Sequence, residues 1–529
     1  MQTLSGPSLR PRRLSPDEAV REISDGLTVA ILGAGGGLNE PTTLIDALAR
    51  RFAATGAPSG LTLFHSSGLG DRAERGMSPL AKPGLVKRII GGHWGQSPRL
   101  AEMAERNEIE AYNFPQGVMS QLLRAGAAGQ PGIVTHVGLG TFVDPRSRGG
   151  RLNESTTEEL VHLIEIDGKD WMYYPTVPID VALIRATTAD TLGYLSLEDE
   201  IAFLDILALA QAAHNNGGLV VAQVERVVKA RTLHPKAVRV PGFLVDMLVE
   251  CPGQPQLYGT PVSGFFAGDY RTDSNVLEVL PLDVRKVVAR RALMEVAPGA
   301  VGNVGVGISD GVGIVAQEEG VDEEFTLTVE LGPVGGVTAR GIFLGASVNT
   351  QALLDMPAQF DFYDGGGLDV ALLSFAEADR EGNVCVHRFG GKIMGTGGFI
   401  EIAQSSKKVV FSGTFTAGGL DVEIADGLVR IRTEGRADKF LWGLAELTFS
   451  ASDALERGHK VVFITERAVF DVCDTGLRLI EVAPGIDLER DVLAHMGFTP
   501  VVCSSVKEMD RRLFMPEPMG IRDEWMCGK

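Results

Sequence analysis

Short apolar runs stopped by glycine recur along this chain, each followed by a stretch of helical period. Leu27-Thr-Val-Ala-Ile-Leu32 predicts a buried strand, Gly33-Ala-Gly35-Gly36-Gly37 ends it, and Thr42 to Phe52 predicts a helix. Ahead of it, Ser15-Pro16-Asp17-Glu18 reads as N-cap, first-turn proline and capping-box glutamate of a helix reaching about Ile23. Leu61–Phe64, Lys408–Phe411, Lys460–Ile464 and Leu477–Val482 predict further strands. Ser97–Arg106, Val118–Arg124, Val284–Val296 and Asp487–Met496 predict helices. In Glu324-Phe-Thr-Leu-Thr-Val-Glu330 the period is two. Phe325, Leu327 and Val329 share one face, while Thr326, Thr328 and Glu330 share the polar one. The strand therefore ends on a carboxylate, and Gly332, Pro333, Gly335 and Gly336 leave the next backbone bare. A plain solvated glutamate before an ordinary turn fits the same pattern.

The pattern repeats at an offset of 189 residues. Asp180-Val-Ala-Leu-Ile184, Ala189-Asp190 and Gly193 return as Asp369-Val-Ala-Leu-Leu373, Ala378-Asp379 and Gly382, with Val220-Val221 matched by Val409-Val410. Three strings in register without a gap predict two homologous open α/β domains with mainly parallel sheets, covering 15–285 and 286–525. The seam falls near 283–290. Each half has a strand leading into a glycine loop, Val29 to Gly37 and Val304 to Gly313. Two such lobes meeting at their loops would leave a ligand cleft between them.

Composition narrows the chemistry. The 529 residues are ample for more than one domain, and 65 glycines suit an α/β protein with many tight loops. A formal charge of −19 and no basic block disfavour a nucleic-acid partner. Five scattered cysteines with no C-x-x-C, and no H-E-x-x-H, signal neither a disulfide framework nor a metal site. No run of 18 apolar residues predicts a membrane span, and no apolar segment near the start predicts a secretory signal. A cytoplasmic protein is expected.

The glycine loop at 33–37 is not a dinucleotide fingerprint, because the third glycine position falls on Leu38, and no G-K-[ST] follows. What it offers is a helix N-terminus with free N–H groups for an anion or oxyanion. Gln116, between Pro115 and Gly117 at a predicted helix start, is an amide placed to donate; a simple polar turn residue is the alternative. Gly395-Thr-Gly397-Gly398 is a further backbone-exposing loop.

Glu330-Leu-Gly-Pro-Val-Gly-Gly resembles the E-S-G-P-x-G-G catalytic turn of family I CoA-transferases, especially the single-chain, short-chain acyl type. Tyr112-Asn-x-Pro-Gln116-Gly, Gly138-Leu-Gly-Thr-Phe-Val-Asp-Pro-Arg146, Thr414-Phe-Thr-Ala-Gly-Gly419 and Pro516-Glu-Pro-Met-Gly520 resemble that family too, and in its order. The resemblance implies that Glu330 is a nucleophile that carries coenzyme A as a glutamyl thioester between two acids, by ping-pong kinetics. It implies oxyanion donors at Gln116 and at Gly398, and coenzyme A contacts at Gly35, Gly36, Asn39, Gly397 and Gly398. Acyl-CoA and short carboxylic acids such as acetate, propionate, butyrate or acetoacetate would be the substrates. No permanently bound cofactor or metal is implied, and a homo-oligomer, dimer or tetramer, is expected. One position departs: Leu331 stands where these enzymes more often have a small polar residue, which bears on the acyl pocket.

Two other readings compete. Gly307-Ile-Ser309-Asp310-Gly311 fits the G-x-S-x-G elbow of α/β-hydrolases, with His387, His459 and His495 downstream as partners for Ser309. A non-catalytic coenzyme A-binding protein would keep the scaffold and leave Glu330 silent.

Overall fold

The computed structural model describes residues 10–272, 279–340, 343 and 345–527. The first nine residues, where no secretory signal is expected, lie outside that set. Order begins where the cap motif says. Ser15 Oγ accepts the Glu18 N–H at 3.3 Å and Glu18 Oε2 accepts the Ser15 N–H at 2.9 Å, starting the helix Pro16–Ala19.

Two ten-stranded sheets organise the chain. Across the first run Arg12–Arg13, Met247–Glu250, Leu219–Val228, Val181–Asp190, Thr28–Ile31, Leu61–His65, Val86–Gly91 and Glu110–Asn113, each parallel to its neighbour. The second holds a parallel centre of Thr326–Thr328, Val301–Val304, Val370–Ser374, Lys408–Ser412 and Lys460–Ile464. Antiparallel strands Ala468–Cys473 and Gly476–Val482 extend it. This is the mainly parallel, two-domain α/β architecture expected.

The repeat is visible in single hydrogen bonds. Asp180 Oδ2 accepts the Thr28 N–H at 2.8 Å, and Asp369 Oδ2 accepts the Val301 N–H at 2.9 Å. Asp190 Oδ1 then accepts the N–H groups of Leu192 and Tyr194, while Asp379 Oδ1 accepts those of Glu381 and Asn383. Each aspartate ties a strand to its neighbour or closes a turn in the same way in both halves.

The second sheet is buried on both faces, and alternation decides which core each residue joins. Ala371 and Leu373 enter a core continuous with the first half, whereas Val370 and Leu372 enter one confined to residues 280–521. A shared core of this kind makes the cleft wall rigid. The helix Val284–Leu293, capped by Asp283, packs its Val287, Val288 and Ala292 into that second core.

Two expectations need correction. The strand before Glu330 spans only Thr326–Thr328, and its polar face is half-buried at Thr326 and closed to water at Thr328. Thr328 is buried, donating to the Gly302 carbonyl at 2.9 Å and accepting from the Tyr363 hydroxyl at 2.8 Å. The stretch Asp487–Met496 is not an α-helix but a π-turn, Leu488–Val492, followed by the 3-10 turn Leu493–His495. Arg467 Nη1 takes the Asp491 carbonyl at 2.9 Å within this turn.

Candidate active site

Loops leaving the C-terminal ends of parallel strands from both sheets converge on a cavity of about 450 Å³. Ala34, Gly35, Ser67, Gly68 and Gln116 line it from the first half, and Gly305, Glu330, Leu331, Phe375, Gly397 and Gly398 from the second.

Glu330 rides the tip of a tight turn. The Val329 N–H donates to the Pro333 carbonyl and the Gly332 N–H to the Val329 carbonyl, both at 3.0 Å. Gly332 has φ +119°, and a Cβ there would sit 2.2 Å from the Leu354 carbonyl oxygen, so only glycine closes this turn. The Glu330 side chain is half-buried. Burial pushes its carboxyl above the ordinary range, and its own backbone N–H pulls it partly back. Among the described residues its carboxylate has no ion-pair partner and no side-chain donor.

Gln116 opens the helix Gln116–Ala127, directly after the strand Glu110–Asn113 and Pro115. It is buried, and its Nε2 donates to the Met356 Sδ at 3.3 Å, a weak acceptor that a better one would displace. Opposite lies the 394–398 loop, stitched onto the first half. The Trp94 and Gly95 N–H groups donate to the Met394 carbonyl at 2.9 and 2.8 Å. Gly397 donates to Gly92 O at 2.8 Å and accepts from the Gln116 N–H at 3.0 Å. Asn113 holds the corner, donating to the Gly91 and Gly92 carbonyls and accepting the Thr396 N–H. The Gly397 N–H is thereby committed. The Gly398 N–H, at the start of the helix Phe399–Ser405, has no acceptor among the described residues and remains the loop's donor.

Gly35 lines the cavity, and Gly36 lines an adjoining groove of about 320 Å³ that also holds Arg72, Arg285 and Arg340. Asn39 is not with them. It has φ +51° and is fully buried, with Nδ2 donating to the Ala202 carbonyl at 3.0 Å, and it lines neither the cavity nor the groove.

Beneath the glycine loop lies Glu40, which the sequence reading passed over. It accepts from the Tyr258 hydroxyl and, at 2.7 Å, from the Gly70 N–H, and burial raises its carboxyl to about 7. His93, also missed, lines the cavity; burial first, then Arg72 and His65, drives its ring down to about 4, so it is neutral at physiological pH. A glutamate followed by proline at a loop end, and one histidine among nine dispersed ones, gave no signal of either.

The hydrolase reading does not hold. Ser309 is fully buried, donates to the Gly305 carbonyl at 3.1 Å and lies 3.1 Å from Ser374 Oγ, with no histidine in reach. His387 is engaged elsewhere, with Thr448 and Glu446.

Among the described residues no three or more His, Cys, Asp or Glu side chains group as a metal site would need, and no helix is long and apolar enough to cross a membrane. The cavity is lined by a raised carboxylate, an amide and a glycine whose N–H has no acceptor among the described residues. Such a set attacks an acyl carbonyl and stabilises the resulting oxyanion.

Comparison with known proteins agrees. A coenzyme A transferase family model matches residues 13–251. Acetate CoA-transferase YdiF of Escherichia coli O157:H7 is 58% identical over 508 residues, covering 96% of each chain. Caffeate CoA-transferase of Acetobacterium woodii is 43% identical over 509 residues, 95% of this chain and 97% of that one. The crystal structure of the Escherichia coli O157:H7 acyl-CoA transferase apoenzyme superposes with a TM-score of 0.93 at 57% identity, covering 97% and 98% of the two chains. A thioester complex of that transferase with CoA superposes equally well.

Proposed function

The chain belongs to the coenzyme A transferase family, and on that premise we propose that it moves coenzyme A from a short-chain acyl-CoA to a free carboxylic acid with Glu330 as the covalent carrier. The observation that carries this reading is the Glu330 carboxylate, raised by burial and free of any ion pair, on the cavity it shares with Gln116 and Gly398.

A Glu330 oxygen attacks the thioester carbonyl, and the C–S electron pair leaves as the coenzyme A thiolate, giving a mixed anhydride. The thiolate then attacks the Glu330 carbonyl and expels the first acid as its carboxylate, leaving a glutamyl thioester. A second carboxylate reverses both steps and departs as the new acyl-CoA. The thioester is exchanged rather than hydrolysed, so the steps need no nucleotide triphosphate. Partial desolvation makes Glu330 a better nucleophile than a surface carboxylate. Each tetrahedral oxyanion is held by the Gln116 amide and the Gly398 N–H, each donor contributing roughly 3 kcal/mol. Gly35, Gly36 and Gly397 leave backbone open for the coenzyme A chain.

The acids we assign are acetate, propionate, butyrate or acetoacetate. We assign the halves to 15–285 and 286–525, with the seam near 283–290 on the helix Val284–Leu293, which packs with the second core. The family likeness and the acidic surface support a cytoplasmic homo-oligomer without nucleic-acid partners.

Intact mass after incubation with an acyl-CoA tests the reading. Wild type should gain a coenzyme A adduct that hydroxylamine cleaves, and Glu330→Ala should gain none. Exchange by Glu330→Ala, or wild-type turnover through a ternary complex without an adduct, would refute it. Coenzyme A binding without turnover in wild type would favour the non-catalytic alternative.

A further inference from the structure

Glu401 belongs to the second half, but its carboxyl serves the first. It lies in the helix Phe399–Ser405, three residues beyond Gly398, and is fully buried. Its Oε1 accepts the N–H groups of Gly117 and Val118 at 2.7 and 3.2 Å. Those are first-turn donors of the helix Gln116–Ala127, which no intrahelical carbonyl can satisfy. The residue before that helix is Pro115, which supplies no side-chain cap. The Gln116 N–H itself goes to the Gly397 carbonyl. Every first-turn donor described here is therefore met by the 397–401 segment of the opposite half.

The surroundings make this contact unusual. Glu401 Oε2 is sealed from solvent with no hydrogen-bond partner, and so is Oδ1 of its acidic neighbour Asp364. Burial and then Asp364 hold the Glu401 carboxyl well above the usual range, and burial raises Asp364 to about 7. A carboxyl kept neutral in such a place is tolerated because it does something an apolar side chain cannot. Gly117 leaves no slack either, since a Cβ there would lie 2.4 Å from the Phe360 ring.

We propose that Glu401 is a positioning residue for the transfer reaction, clasping the start of the Gln116 helix to the segment that bears Gly398 so that both oxyanion donors keep one register across the cleft. The inference rests on the reading of Gln116 and Gly398 as those donors. One helical turn and two hydrogen bonds connect them, and without the clasp the single Gln116 N–H bond to the Gly397 carbonyl is what still ties that end of the helix across the cleft. A displacement of about 1 Å at a reacting centre is enough to slow a reaction on the order of a hundredfold.

The test compares Glu401→Leu, Glu401→Gln and Glu401→Asp with wild type in acyl-CoA exchange and in the rate of adduct formation on Glu330. The leucine variant should lose on the order of a hundredfold in kcat with KM for acyl-CoA little changed. Glutamine, which keeps the carbonyl acceptor, should recover at least about tenfold of that loss. The pair Glu401→Leu with Gln116→Ala should be no slower than Gln116→Ala alone, because a clasp acting through Gln116 has nothing left to position. A loss in the double variant equal to the product of the two single losses would mean a purely structural role and overturn the proposal. Should the leucine chain fail to fold, Glu401→Asp decides: its shorter reach predicts a slowed kcat, and wild-type kcat would overturn the proposal. Absence of any adduct on wild type would instead defeat the Glu330 reading, a separate outcome.

Discussion

The Gln116 N–H donates to the Gly397 carbonyl at 3.0 Å, a backbone hydrogen bond between halves 281 positions apart that aims both elements into one cavity. The Gln116 amide itself is held only by the Met356 sulfur among the described residues, and the proposed oxyanion role requires it to give that contact up. Gln116→Ala should lower kcat by roughly 10²- to 10³-fold while leaving KM for acyl-CoA within a few-fold, as measured in steady-state exchange. Equal losses in kcat/KM and kcat would mark the amide as a partner of the transition state alone.

Glu40 supplies a pH dependence. Below pH 4.5 both folded and unfolded chains carry its proton. As pH rises the unfolded carboxyl ionises first, while the buried one keeps its proton to about 7. Folding therefore loses stability relative to Glu40→Gln between about pH 4.5 and 7, and the difference levels off above that at about 3 kcal/mol. Urea midpoints of the two proteins across that range measure it. A flat difference would show that Glu40 titrates normally.

Leu331 packs where a side chain at Gly345 would otherwise reach, with Leu38 close by, and forms part of the cavity wall. Leu331→Ala should cost about 2–4 kcal/mol of stability, the usual outcome of truncating a buried leucine. Leu331 lines the same cavity as Glu330, and with an acyl chain lodged against it the ratio of kcat/KM for hexanoyl-CoA over acetyl-CoA should rise about tenfold. An unchanged ratio would remove Leu331 from the determinants of acyl length.

The repeated aspartates offer a cleaner measurement. Asp180→Ala and Asp369→Ala each delete the acceptor of one strand-end N–H, Thr28 or Val301, and each should cost about 1 kcal/mol. The sites share no partner, so the double variant should lose the sum of the two in chemical denaturation. A markedly larger loss in Asp369→Ala would trace to its additional ion pair with Lys407.

Beyond the 189-residue repeat, what was legible in the sequence was local. Ser15 and Glu18 announce a helix start because both partners of the cap lie within four residues. The strand Lys460–Ile464 has the bounds its apolar run suggests. Glu330 stood out because its turn chemistry, Gly332 and Pro333, follows it directly. Failures came where a distant group decided. Arg467 takes the Asp491 carbonyl where a helix was expected over Asp487–Met496, and the buried Asn39 amide is bonded to the Ala202 carbonyl. Glu401 sits in an apolar helix with no motif around it, and only the opposite half's N–H groups reveal its use.

The stitching of the 394–398 loop onto the first half has a consequence for how this polypeptide is made. A ribosome delivers the whole first sheet, and Glu330 as well, long before Gly398 emerges. Until then the cavity beside Glu330 lacks the wall that Gly395, Thr396, Gly397 and Gly398 supply. Messages cut short before that loop therefore encode Glu330 without the segment that closes its cleft.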